Sequence, residues 1–106
     1  MTPEEAQREL SDSRGKIDSL DRKIVDLLNE RTKMAQDIGR AKTVLGTPVQ
    51  EPRREESVFR NVTVHNHGPM PDEALKRIYE QIMLEMRTLQ GMQREQPDKS
   101  QALGEQ

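Results

Sequence analysis

The 106-residue sequence is long enough for one small domain, but only 31% of it is hydrophobic and 2% aromatic, so one chain can build only a thin core. Its 17 lysines and arginines and 19 aspartates and glutamates interleave to a net charge of −2, which argues against nucleic-acid binding. There is no cysteine for a disulfide or a thiolate metal site, and no apolar run approaches the ~20 residues of a membrane span. We therefore predict a cytoplasmic protein that needs no metal, cofactor, nucleic acid or membrane.

Residues 2–46 predict one long amphipathic helix. Thr2 is a good N-cap residue, and Pro3 suits the first helical position. A later start at Ser11 stays open, because Ser11 is also a cap former. Gly46, which a proline follows two residues later, predicts the end of the helix.

An apolar stripe runs along this helix in alternating steps of three and four residues, and cations interrupt it. Its members are Leu10, Arg14, Ile17, Asp21, Ile24, Leu28, Arg31, Ala35, Ile38, Lys42 and Leu45. Arg14, Arg31 and Lys42 therefore lie where apolar side chains are expected. Burying an unpaired cation costs several kcal/mol, so these three need internal carboxylates, such as Asp18 and Asp21, or an anionic ligand.

The second predicted helix begins at Glu51 and Pro52 and ends by Asn66, just before a Gly-Pro breaker. Glu55 lies on the same face as the apolar residues around Val58, so a carboxylate is placed beside the core. The alternative is that Glu55 is a surface residue paired with an arginine of its own helix.

The third predicted helix has Asp72 as its N-cap and an apolar stripe that turns polar at Gln90. Gln90 either belongs to a site or marks the frayed end of the stripe. Residues 93–106 are polar and predict a disordered tail or linker after a domain of residues 1–92. No strand candidate of useful length is present, so we predict an all-α fold with three helices.

The length of the first helix predicts a second chain. About forty residues span roughly 60 Å, which two shorter helices cannot cover. Arg14 and Arg31 lie about 25 Å apart along it, too far to clamp one small molecule. In an antiparallel dimer with its two-fold axis near residues 25 and 26, Arg14 of the partner subunit comes between Arg31 and Lys42. Such a three-cation site suits a small dicarboxylate.

Several segments together carry a family resemblance. They are Arg14, Ile17-Asp18, Leu20-Asp21, Leu27-Leu28 with Arg31, Ile38-Gly39 with Lys42, residues 48–55, and Leu89-Gln90. Over about residues 10–92 the chain resembles the all-helical, AroQ-type chorismate mutases. Residues 66–71 resemble the corresponding loop of mutase domains fused to prephenate dehydratase. The resemblance implies an intertwined antiparallel homodimer that rearranges chorismate to prephenate in the shikimate branch to phenylalanine and tyrosine.

The resemblance also implies roles for the polar residues of the stripes. Arg31 and Arg14 of the partner subunit hold the carboxylates of chorismate, and Arg54 adds positive charge. Lys42 and Gln90 donate hydrogen bonds to the ether oxygen, so Lys42, Gln90 and Arg31 are the predicted catalytic residues.

The remaining predicted substrate contacts lie on the second and third helices. Glu55 and the backbone near Glu51 match the family's contacts to the ring hydroxyl. Two positions depart from the family pattern: Glu51 stands where Asp is commoner, and Met86 stands where many members carry a Ser near a substrate carboxylate.

Two other functions stay open. An isochorismate pyruvate lyase is similar in fold and also binds a cyclic dicarboxylate through arginines and a lysine. A non-catalytic helical dimerisation or regulatory module needs no substrate. The chain has no cysteine, no paired histidines and no Gly-rich phosphate loop, which agrees with a pericyclic rearrangement that uses no nucleophile, base or metal.

Overall fold

A computed structural model of the chain describes residues 1–96 and contains three helices. They are α1 (Pro3–Leu45), α2 (Pro52–His65) and α3 (Asp72–Glu95). The prediction of an all-α chain with three helices is confirmed, and no strand forms among the described residues. The chain divides into two compact units, residues 1–34 and the part from Ala35 onward.

Both ends of α1 follow from local chemistry. The backbone N–H of Glu5 donates to Thr2 Oγ1 at 3.1 Å, so the helix begins at the earlier of the two predicted starts. At the other end Gly46 has φ +69°, a left-handed conformation that glycine adopts without a steric penalty. The Thr47 N–H then donates to the Lys42 carbonyl at 3.0 Å and satisfies one of the last free acceptors of the helix.

The bounds of α2 agree with the prediction, but the predicted cap of α3 is wrong. Pro71 occupies the N-cap position, and Asp72 is the first helical residue. The reason is a competing contact: Asp72 Oδ1 accepts a hydrogen bond from Asn66 Nδ2 at 2.7 Å. The carboxylate therefore closes the turn between α2 and α3 instead of capping α3.

The carboxyl-terminal part of the chain is described only in part. Helix α3 continues through Glu95, so residues 93–95, assigned above to the tail, are helical. Residues 97–106 lie outside the described residues, and their disorder stays a prediction. None of the described helices is long and apolar enough to cross a membrane, and the cytoplasmic location also stays a prediction.

Few side chains are buried. Ala35 is 6% exposed, Met83 5% and Gln90 6%, and all three belong to the second unit. Apolar side chains of the first unit that remain 51–61% exposed are Leu10, Ile17, Leu20, Ile24, Val25, Leu27 and Met34. The thin internal core that the composition predicts is therefore observed, and α1 carries an apolar surface that its own chain leaves in solvent.

Candidate active site

Lys42, in the last turn of α1, is the centre of a polar cluster in the second unit. Its side chain is only 12% exposed. Its Nζ donates to the Val49 carbonyl at 2.7 Å and to Gln90 Oε1 at 3.1 Å, and lies 3.0 Å from Glu51 Oε1. An ammonium group has three hydrogens, so these three oxygens can take all of them. The cluster holds the positive charge of Lys42 in one place.

Gln90 connects α3 to α1 through both ends of its amide. Its Oε1 accepts from Lys42, and its Nε2 donates to the Ala35 carbonyl at 2.7 Å. Because Lys42 can only donate and a carbonyl can only accept, these neighbours fix the orientation of the amide. The second amide hydrogen of Gln90 takes part in neither contact. Gln90 is buried and α3 continues beyond it, so the frayed-end interpretation is wrong.

Gly39 explains how α3 comes this close to α1. A Cβ atom at this position would lie 2.5 Å from Gln93 Oε1 and 3.1 Å from Gln90 Cγ. Without that atom, Gln93 Nε2 reaches the Gln36 carbonyl at 3.0 Å. Gln93 Oε1 is buried and has no hydrogen-bond partner among the described residues. The absence of a side chain at Gly39 thus lets Gln90 and Gln93 hydrogen-bond to backbone carbonyls of α1.

Glu55 forms an ion pair with Arg87, a residue that the sequence pattern did not predict for the site. Arg87 Nη1, on α3, donates to Glu55 Oε2 at 2.6 Å, and the two side chains are 28% and 22% exposed. The alternative in which Glu55 pairs with an arginine of α2 is therefore wrong. Arg54 Nη1 donates instead to Ser57 Oγ at 3.1 Å. The available signal was spacing, since Arg87 precedes Gln90 by three residues and so lies on the same side of α3.

Arg14 and Arg31 belong to the first unit and are not part of these contacts. Arg14 is exposed and Arg31 is half-buried. Neither side chain makes a hydrogen bond or an ion pair with Asp18, Asp21 or any other described residue. Of the three cations on the α1 stripe, only Lys42 therefore has a carboxylate partner among the described residues.

The structure brings some of the predicted site residues together and leaves others apart. Lys42, Glu51 and Gln90 are in direct contact, and Glu55 follows Glu51 by one turn of α2. Met86 is half-buried one turn before Gln90 on α3, where its thioether cannot donate a hydrogen bond to a carboxylate. Arg14 and Arg31 of the first unit and the exposed Arg54 make no contact with Lys42.

Chemically, the cluster offers hydrogen-bond donors rather than reactive groups. Lys42 is a charged donor and Gln90 a neutral one, and both can stabilise negative charge that develops on an oxygen. Within residues 1–96, no group of three or more His, Asp or Glu side chains could hold a metal ion.

Comparison with known proteins places these residues in a family context. Residues 13–91 match the family model described as chorismate mutase type II. A bifunctional chorismate mutase/prephenate dehydratase of Aquifex aeolicus is 39% identical over 79 residues, covering 71% of this chain and 22% of that protein. A chorismate mutase of Methanocaldococcus jannaschii is 38% identical over 53 residues, covering 50% of this chain and 54% of that protein. The chain therefore spans about a fifth of the length of the bifunctional relatives.

A solved structure is also similar. Form II of the chorismate mutase from Thermus thermophilus superposes with a TM-score of 0.76 at 35% sequence identity. The match covers 78% of this chain and 94% of that one. The structural similarity thus extends over most of the solved chain.

Proposed function

This chain belongs to the chorismate mutase type II family, and we propose that it catalyses the Claisen rearrangement of chorismate to prephenate. The observation that carries the proposal is the contact between the ammonium of Lys42, on α1, and the amide of Gln90, on α3, which is itself bound to the Ala35 carbonyl. Two adjacent donors, one charged and one neutral, suit an ether oxygen that gains negative charge as its bond to carbon breaks.

The reaction requires no acid, base or nucleophile from the protein. A Claisen rearrangement breaks the C–O bond and forms the new C–C bond in one step, so no proton transfer and no covalent intermediate are needed. Catalysis then depends on holding the folded, reactive conformer and on donors positioned beforehand. Substrate would take one hydrogen of Lys42 from its present acceptors, together with the second amide hydrogen of Gln90. Glu55 would accept from the ring hydroxyl, near the backbone of Glu51.

The carboxylates of chorismate require further cations, and Arg31, Arg14 and Arg54 are the candidates. Arg14 and Arg31 are 17 residues apart on α1, about 25 Å, so both can serve one site only if Arg14 comes from a second copy. We therefore propose an intertwined antiparallel homodimer with two shared sites. Arginine forks match carboxylates in a bidentate geometry, which favours arginine at both positions.

The exposed apolar surface of α1 supports the homodimer. Seven large apolar side chains of residues 10–34 are more than half exposed. Contiguous apolar surface of this kind marks an interaction site in a folded protein. A two-fold dimer needs a self-complementary face, and an antiparallel pair of α1 helices would bury the stripe of one copy against that of the other.

The test is an assay of chorismate disappearance and prephenate formation with the purified chain. Lys42→Ala should lower kcat by ~10² or more, the loss seen when one positioned donor to a developing oxyanion is removed. Lys33→Ala, at an exposed position on the same helix, is the matched control and should stay near wild type. Folding of each variant is checked by circular dichroism.

Three results would count against the proposal. A folded Lys42→Ala protein within threefold of wild type removes Lys42 from the mechanism. Release of pyruvate and salicylate from isochorismate, without turnover of chorismate, identifies the lyase instead. No turnover of either compound favours the non-catalytic module.

A further inference from the structure

We propose that Arg87 is a positioning residue for substrate binding: it orients Glu55 and cancels the charge of Glu55 in front of a dianionic substrate. This inference rests on the proposed function. It begins from an ion pair that joins α2 to α3 across 32 positions of sequence, with a donor–acceptor distance of 2.6 Å.

The setting of this pair differs from that of a surface pair. Arg87 and Glu55 are 28% and 22% exposed, whereas the Arg40–Asp37 pair within α1 is 57% and 56% exposed. Exposed pairs contribute little because water screens them and both side chains move freely. A pair that is three-quarters buried holds its carboxylate in a defined orientation and has a larger energetic effect when one partner is removed.

The pair lies next to the Lys42 cluster on both of its helices. Glu51 is the N-cap residue of α2 and Glu55 lies one turn after it, where its N–H donates to the Glu51 carbonyl at 3.0 Å; Arg87 precedes Gln90 by one turn of α3. Residues three or four apart on a helix are neighbours on its surface. Glu51 and Gln90 both contact Lys42, so the Arg87–Glu55 pair flanks the position proposed for the ether oxygen.

Arg87 engages only one oxygen of Glu55. The bond is made to Oε2, and within residues 1–96 no hydrogen-bond donor reaches Oε1. A carboxylate has acceptor capacity on both oxygens, so Oε1 remains able to accept from a hydroxyl group. Holding Oε2 fixes the direction in which Oε1 points.

Charge gives Arg87 its second role. Chorismate carries two carboxylates, and an uncompensated Glu55 beside it would repel the substrate before any hydroxyl contact forms. With Arg87 in place, the pair is neutral as a unit and Glu55 still accepts a hydrogen bond. Arg87 thus acts through Glu55 and is expected to influence KM more than kcat.

The experiment measures kcat and KM for chorismate in wild type, Arg87→Leu, Arg87→Lys and the double variant Arg87→Leu with Glu55→Gln. Arg87→Leu should raise KM about tenfold while kcat changes less than threefold. Arg87→Lys should restore KM to within threefold of wild type, because only one nitrogen of Arg87 contacts Glu55 and a point charge can replace it.

The double variant separates charge compensation by Arg87 from simple bracing of the two helices. If the harm comes from an uncompensated charge, adding Glu55→Gln to Arg87→Leu should lower KM relative to Arg87→Leu alone. If the pair only braces α2 against α3, the double variant should gain nothing and only the urea midpoint should fall. Arg40→Leu, which breaks the exposed pair on α1, is the control and should leave KM unchanged.

The outcomes are distinguishable. A folded Arg87→Leu protein with KM within twofold of wild type overturns the inference, as does a double variant that binds no better than Arg87→Leu. Should Arg87→Leu fail to fold, Arg87→Gln replaces it, with the same expected rise in KM and the same criterion. A wild-type protein that does not consume chorismate defeats the proposed function, and this inference with it, before any variant is measured.

Discussion

The three acceptors around Lys42 differ in exposure, and the difference predicts which of them the proposed substrate would displace. Gln90 is buried and the Val49 carbonyl belongs to the backbone, but the Glu51 side chain is 47% exposed. A carboxylate near water is screened and mobile, so its hold on an ammonium is weak. In the proposed site, we therefore expect a substrate oxygen to displace Glu51 from Lys42 more easily than the other two acceptors.

This predicts that Glu51→Gln lowers KM for chorismate about threefold with little change in kcat, because a carboxylate that is 47% exposed is screened by water and contributes under about 1 kcal/mol to holding Lys42. The backbone near residue 51, proposed to contact the ring hydroxyl, is retained. Glu56→Gln removes one negative charge from an exposed position of α2 and is the matched control. Steady-state kinetics on both variants is the measurement, and an unchanged or higher KM for Glu51→Gln contradicts the displacement order.

At the scale of the helices, the approach of α3 to α1 at Gly39 sets the geometry of the donors. Gln93 could swing away from a Cβ atom because its clashing atom is the end of a flexible side chain. Gln90 has less freedom, since its amide is bound at both ends by Lys42 and the Ala35 carbonyl. A methyl group at residue 39 would thus act mainly on Gln90.

Gly39→Ala should therefore lower kcat by about tenfold or more, because a displaced donor no longer meets the developing charge. Stability should change by less than about 2 kcal/mol, since overpacking costs about 1–3 and alanine returns up to about 1 through helix propensity. Gly91→Ala, where nothing lies within 4 Å of the new Cβ, is the control and should keep full activity. Turnover and urea unfolding are measured together, and an active Gly39→Ala protein argues against a geometric role for this contact.

The helices were largely predictable because their ends are encoded locally. Thr2, Gly46 and Pro52 act within a few residues of themselves, and each marks an observed boundary. Asp72 was misassigned because Asn66, six residues earlier, competes for its carboxylate. A local sequence pattern shows which residues favour the N-cap position, but it does not show whether another side chain binds the same carboxylate.

At the candidate site, periodicity predicted which side chains share a helix face, but it did not predict every contact between helices. The stripe positions of Lys42 and Gln90 follow from helical periodicity, and the structure brings them together. Periodicity did not predict the partner of Glu55. Helix α2 itself contains several arginines, and the contact with Arg87 depends on the register of α2 against α3. Register between helices comes from packing, which periodicity within one helix does not specify.

At the scale of the whole molecule, the separation of Arg14 from Arg31 makes subunit exchange the decisive experiment. Arg14→Ala and Arg31→Ala should each be nearly inactive alone. Their heterodimer should have one intact site of two, so random mixing of equal amounts should restore about a quarter of wild-type activity. Exchange is followed by mass spectrometry with one tagged subunit. Each variant exchanged with itself is the control, and proven exchange without recovery rules out the shared site.

Among residues 1–96, Ala35 and Met83 are the only buried hydrophobic residues. If a second copy supplies the remaining burial, folding becomes a second-order process, and each tenfold dilution lowers the free energy of unfolding by about 1.4 kcal/mol. The amount of protein that a cell makes would then help to set the temperature at which the enzyme fails. Two cells with the same sequence and different expression levels would differ in heat tolerance at this step.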